Sequence, residues 1–213
     1  MKLPSLASHV RYEVSGRPRG GLGGIVARLE RHRFVPLGDD VEQEEAWGWI
    51  TLEHLLDVQF RPDKIELGPY VVFGLRRDRR KAPAALVRAH VRQQELAHRE
   101  ATGRWLAARE RRELREQVRE TLVRKVLPSA SSWPVVWHRG AACLWFGTAS
   151  QRANEMLVGL FRETFELELT RLGPGALAAR LLEGDEQAWA SLARLEPTAF
   201  VAAGSRPALA ASA

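Results

Sequence analysis

The stretch from Leu75 to Lys125 constrains this chain more than any other. It opens on Leu75-Arg76-Arg77-Asp78-Arg79-Arg80-Lys81-Ala82-Pro83 and leads out through Arg124-Lys125-Val126-Leu127-Pro128. Between Arg76 and Lys125 there are 16 Lys and Arg against 7 Asp and Glu, whereas the whole chain has 32 against 26. The remainder, 16 against 19, is slightly acidic, so all the net positive charge sits in one segment. A bias toward Arg over Lys explains the choice of residue but not its concentration. Such a confined excess is the footprint of a polyanion, nucleic acid first and an anionic membrane surface second.

Two helices are predicted within the stretch. Pro83 suits the first position of a helix. Leu86, Val87, His90, Val91 and Ala97 carry its apolar face to about Gly103. A second helix is predicted from Ala108 to Leu127, stopping before Pro128, with Leu114, Val118, Leu122 and Val126 inward. At about 100° per residue, Arg111, Arg112, Arg115 and Arg119 share one flank of that face, while Glu113, Glu116 and Glu120 fall opposite. A solvated helix mixes its charges for i,i+4 pairing, and Arg112–Glu116 and Glu120–Arg124 could still pair, but the segregation favours a facing polyanion. Arg76, Arg77, Arg79, Arg80 and Lys81, with Asp78 the one anion among them, are expected to fan out from a tight turn between a strand and the first helix. The rival reading is a solubilising turn.

The rest of the chain alternates short strands and helices. His9 to Val14 alternates as a strand, and Gly16 to Gly24 is a loop before a helix carried by Ile25, Val26 and Leu29. That loop lacks the Lys-Ser/Thr of a phosphate cradle and reads as a plain connection. Asp39 to Glu45 is an acidic loop. Ala46 to Ile50 is a strand with Trp47 and Trp49 on one face, either core or a base-stacking pair. Lys64–Leu67 and Tyr70–Leu75 form a hairpin around Gly68-Pro69, and Trp133–Trp137 and Ala141–Phe146 form another. Ala149–Glu163 is a helix and Phe165–Leu169 a strand, followed by short helices at Ala176–Leu182 and Glu186–Leu195. The fold expected is α+β, with antiparallel hairpins packed on helices and a projecting helical pair. Residues 1–172 form the main domain, 173–196 a helical extension and 197–213 a disordered tail.

The residues offer no catalytic or metal-binding pattern. The histidines have no zinc-ligand spacing, no carboxylates cluster for Mg²⁺, and no Gly-x-Ser-x-Gly occurs. Cys143, the one cysteine, sits in the apolar run Ala141–Phe146 and reads as core. The chain starts without an apolar leader and has no run of spanning length, so a non-enzymatic, cytoplasmic protein without cofactor or metal is expected.

Several motifs together resemble the RdgC family of recombination-associated DNA-binding proteins. Phe73 to Pro83 is similar to its strand, basic turn and Pro-started helix, and Arg109 to Pro128 to its next helix with a Leu-Pro stop. Phe34-Val35-Pro36, Gly48-Trp49 and the Ala149–Phe161 helix fit as well, so the likeness covers roughly Val10 to Leu172. The resemblance implies binding of double-stranded DNA without sequence preference, by a ring-shaped homodimer that opposes a RecA-type recombinase indirectly on the nucleoid. It also carries the label of an exonuclease, for which these residues give no support. Longer members have a Pro-Arg-Ala-Phe whose Phe serves a dimer contact, where this chain has Pro128-Ser129-Ala130-Ser131. They also continue into a further C-terminal region. Trp133, Val135 and Trp137 are either core or a strand edge for dimer pairing. The expected DNA contacts are Arg76, Arg77, Arg79, Arg80, Lys81, Arg111, Arg112, Arg115, Arg119, Arg124 and Lys125. An adaptor whose basic helices dock an acidic protein, and a metal-dependent exonuclease, are the alternatives.

Overall fold

The computed structural model describes residues 4, 8–38 and 43–196. The chain divides after Arg171 into two compact units. The first holds β1 (Val10–Ser15), α1 (Gly21–Arg31), β2 (Glu45–Ile50), α2 (Pro62–Ile65), β3 (Glu66–Leu67), β4 (Tyr70–Arg79), α3 (Ala84–Thr102), α4 (Ala108–Val123), β5 (Ser129–His138), β6 (Cys143–Phe146), α5 (Gln151–Phe165) and β7 (Glu168–Arg171). The second holds α6 (Pro174–Leu181) and α7 (Glu186–Ala193). The tail expected to be disordered and residues 39–42 of the acidic loop lie outside the described residues.

The strands make one antiparallel sheet in the order β2-β4-β5-β6-β1-β7, with β3 added beside the start of β4. The fold is α+β. Alternation along the strands sends one set of side chains under α1 and α5. Trp49, Phe73, Val135, Trp137 and Phe146 meet Ile25, Leu29, Leu157 and Phe161 there in the main core. The rings of Trp137, Phe161 and Phe165 pack edge-on or tilted at centroid distances of 4.7–5.3 Å, the arrangement their quadrupoles favour. Trp49 is fully buried, and its Nε1–H donates to Thr164 Oγ1 at 2.8 Å. The opposite face carries a smaller cluster of Phe34, Leu37, Ala46 and Ile50. Here β2 passes against the 32–34 segment so closely that a Cβ on Gly48 would lie 2.3 Å from Phe34 Cα.

Several elements depart from the sequence expectations. β4 does not end at Leu75. It runs on to Arg79 because β5 starts immediately after Pro128 and pairs Ser129 with Arg79, Ala130 with Asp78, Ser131 with Arg77 and Ser132 with Arg76. What reads as a basic turn is therefore largely a strand with neighbours on both sides. β5 lies between β4 and β6, so Trp133, Val135 and Trp137 do not form a free edge, and Val135 and Trp137 are core. Residues 62–65 form a helical turn begun by Pro62, Pro83 is the N-cap of α3 rather than its first helical residue, and α4 ends at Val123, short of Leu127. Phe165 closes α5 instead of opening the last strand.

The loop after β2 is tied by one carboxylate. Asp57 accepts from Thr51 Oγ1 and Lys64 Nζ, both at 2.6 Å, and from the Gln59 N–H at 3.0 Å. Burial pushes the Asp57 carboxyl up, but hydrogen bonds from Lys64, Thr51 and Gln59 outweigh it and hold the pKa at about 2. A carboxyl with a depressed folded value stabilises fully above its ordinary value of 3.8 and loses that contribution as pH falls through about 2. Asp57→Asn should therefore cost on the order of 2 kcal/mol at neutral pH. Denaturant melts should show the gap between wild type and variant closing as the pH is taken down toward 2.

Candidate nucleic-acid interface

α3 and α4 form an antiparallel hairpin inserted between two paired strands. Its two ends leave the sheet at the Arg79–Ser129 pair. Val87, Val118, Val123 and Ala82 are buried between the helices, with Val91, Leu114 and Leu122 beside them, so α4 largely presents the expected face, whereas Leu86, His90 and Ala97 of the face expected for α3 are exposed and Glu95 is buried. The hairpin has two unlike sides. One carries His90, Gln94, Gln117, Thr121 and Lys125 along a groove of about 440 Å³. The other carries most of the arginines.

The insertion brings together two stretches that lie far apart in sequence. Arg79 at the end of β4 and Lys81 after it line a cleft of about 300 Å³ with Arg115 and Arg119 of α4. Glu44 and Glu116 are its anions. Arg119 donates to Glu44 Oε1 at 2.7 Å and to Glu116 Oε1 at 2.8 Å, and these bonds raise its pKa further. Arg115 and Lys81 are exposed and have no carboxylate partner among the described residues. Next to the cleft, Glu45 is shared by Arg79 at 3.7 Å, Arg77 at 4.0 Å and Arg152 at 2.5 Å. Burial acts to raise the Glu45 carboxyl, but bonds from Arg152 and Trp47 and the surrounding charge leave its pKa lowered.

Not every expected contact residue faces outward. Arg76 is buried on the sheet face opposite α1 and α5. Its Nε and Nη2 donate to the two oxygens of Asp78 at 2.8 Å, its Nη1 donates to Leu55 O at 3.0 Å, and its guanidinium lies 4.1 Å from the Phe34 ring centre. The alternation of β4 explains this: Arg76 and Asp78 share one face, and Arg77 points to the other. Arg77 is half-buried over the stacked rings of Trp47 and Trp133. Arg80 Nη2 donates to Gly38 O at 2.6 Å. Arg111 is ion-paired to the buried Glu95 of α3. Arg112 and Arg124 are exposed without a carboxylate partner among the described residues, and Lys125 lines the groove on the other side of the hairpin. Residues that sequence reasoning missed are Glu44, Glu45, Glu95 and Arg152. The acidic loop was legible, but its pairing with the basic strand end was not.

The architecture defines an α+β protein whose sheet carries a basic helical hairpin between the paired strands β4 and β5. The chain belongs to the RdgC family, whose sequence profile, described as "Putative exonuclease, RdgC", matches residues 22–182. Membership makes it a recombination-associated, nucleic-acid-related protein. No curated protein matches the chain. Among the described residues, no three or more His, Cys, Asp and Glu side chains are grouped to hold a metal ion, and no helix is long and apolar enough to cross a membrane.

The buried pair sorts the arginines by role. Arg76→Ala leaves Asp78 charged, buried and unpaired, and breaking such a pair costs about 3–5 kcal/mol. Lys81→Ala and Arg115→Ala, at exposed positions, should stay within about 0.5 kcal/mol of wild type. Chemical denaturation of the three variants checks this separation.

Proposed function

We propose that the protein binds double-stranded DNA without sequence preference along the basic side of the α3–α4 hairpin. The observation that carries this reading is the cleft at the hairpin's base, where Arg79, Lys81, Arg115 and Arg119 converge from two segments. Phosphate oxygens are the natural occupants of such a cleft, and replacing counterions along a duplex drives binding entropically. Contacts of this kind position a duplex and do not read bases. α3 has 19 residues, so the hairpin is about 28 Å long at 1.5 Å per residue, enough to follow roughly eight base pairs.

In this reading the contact set is Arg79, Lys81, Arg112, Arg115 and Arg119, with Arg124 at the hairpin's base. Arg76 and Arg77 act structurally. The proposal includes a homodimer and a role on the nucleoid, in which duplex occupancy opposes a RecA-type recombinase without touching it. The reading is non-enzymatic, although the family description names an exonuclease. Metal-dependent nucleotide release from a labelled duplex, abolished by a chelator, would overturn the non-enzymatic part. An acidic protein partner would use the same cations but would not give equal affinity for unrelated duplexes.

The test is fluorescence anisotropy with duplexes of unrelated sequence across a salt series. Wild type should bind all of them alike. Each of Lys81→Ala and Arg115→Ala should flatten the slope of log K against log salt by about 0.9. Glu44→Gln should act in the opposite sense, because Arg119 then loses an internal carboxylate and the cleft gains one net positive charge. Tighter binding and a steeper slope are expected. Unchanged affinity and slope in all three variants would remove the cleft from the interface.

A further inference from the structure

We propose that Arg152 of α5, aided by the Trp47 indole, is a positioning residue for the cleft: it holds the Glu45 carboxylate off Arg79 and so keeps Arg79 open to a phosphate. The proposal rests on the nucleic-acid reading above and deepens it at one cation of the cleft. Glu45 opens β2 and stands directly opposite Arg79 in the β2–β4 register. Opposed side chains of an antiparallel pair lie on one face, and opposite charges placed so attract. The guanidinia of Arg77, Arg79 and Arg152 all approach this one carboxylate, which is largely buried.

The two oxygens of Glu45 are used unequally. Oε2 accepts from Arg152 Nη2 at 2.5 Å and from the Trp47 Nε1–H at 3.3 Å. Oε1 is buried without a hydrogen-bond partner, although Arg79 Nε is 3.7 Å away and Arg77 Nη1 4.0 Å. The cross-strand pair therefore stops short of the hydrogen-bonded contact that an arginine and a carboxylate ordinarily make. The clasp on the other oxygen accounts for the gap. Trp47 is fixed by its stack on Trp133 at 5.8 Å, beneath the Arg77 guanidinium. Burial works against the Glu45 charge, and Arg152 leads the groups that offset it.

The consequence falls on Arg79, whose side chain is 44% exposed and lines the cleft. Without Arg152, Glu45 turns to the nearest remaining donor, and closing about 1 Å makes a full hydrogen bond to Arg79. A carboxylate seated there takes the position of a phosphate oxygen and cancels the charge that would attract one. Arg77 gives no substitute, because its guanidinium is held over the two indoles. Arg152 is suited to the task by its place. It lies on α5, does not line the cleft, and has no other carboxylate partner among the described residues. It absorbs the charge of Glu45 without engaging a cation of the cleft, whereas Glu44 engages Arg119.

The test is a double-mutant cycle on the full chain, read by anisotropy with a blunt duplex in a salt series around 0.15 M, where the distant effect of one exposed charge is largely screened. Arg152→Ala should lower affinity roughly three- to tenfold and flatten the slope of log K against log salt by about 0.9, the loss of one phosphate contact. In a Glu45→Gln background no carboxylate competes. The same Arg152→Ala change should then move affinity by less than about twofold and leave the slope unchanged. Arg152→Lys keeps a donor to Oε2 and should retain most of the wild-type affinity. Equal losses with and without Glu45 would make Arg152 a direct phosphate contact and sink the proposal, as would wild-type affinity in Arg152→Ala. A general loss of fold would lower affinity and thermal melting in both backgrounds, and that outcome also counts against positioning. If wild type binds no duplex, the nucleic-acid reading itself fails, and this inference with it.

Discussion

The pairing of β4 with β5 is the constraint on which the rest of the molecule depends. It runs without interruption from Tyr70–His138 to Arg79–Ser129, through the densest run of charge in the chain. A β-ladder can carry arginines on both faces only if each face offers them somewhere to go. On one face the Arg76 guanidinium is satisfied by Asp78, Leu55 O and the Phe34 ring. On the other, Arg77 lies over two tryptophans beside Glu45. Because the ladder persists to Arg79, the hairpin begins and ends at one point on the sheet. That shared root lets residues near 80 and residues near 115 line a single cleft.

The same geometry explains why a segment with so much positive charge folds without its partner. Much of the repulsion is met internally. Glu44, Glu45 and Glu95 each take one or more arginines, and the i,i+3 and i,i+4 pairs Arg119–Glu116 and Arg109–Glu113 take others. The exposed pairs among them, such as Arg119–Glu116 and Arg109–Glu113, contribute little stability, about 0–1 kcal/mol, and are screened by salt. They are correspondingly easy for a polyanion to replace. Lys81, Arg112 and Arg115 are left with no carboxylate to give up, and the net positive charge of the cleft is that of Lys81 and Arg115.

Much of the fold was legible in the sequence, because it is written in local pattern. Alternation in Val10–Val14 and Trp133–Trp137 and the 3.6-residue spacing of Leu114, Val118 and Leu122 act within a few residues. The basic strand end was misread because arginines in a row look like solvated turn. Only the pairing partner 50 residues away, the serine-rich start of β5, shows that they are strand. The site was half legible for the same reason. Helix periodicity placed Arg111, Arg112, Arg115 and Arg119 on one flank, but neither Glu95 across the hairpin nor Glu44 across the cleft follows from spacing.

The two sides of the hairpin give the interface a direction. The amide side carries Gln94, Gln117 and Thr121, uncharged groups that hydrogen-bond, together with His90 and Lys125, and Glu110 and Glu113 lie farther along it. The arginine side runs from the cleft at the sheet, through Arg115 and Arg111, to Arg92, Arg99 and Trp105 at the tip. A polyanion approaching at random meets an attractive field mainly on that second side. Attraction over a Debye length of about 8 Å at physiological salt is enough to orient it before contact. In the proposed reading, a polyanion aligned in this way would lie along the hairpin with one end against the sheet.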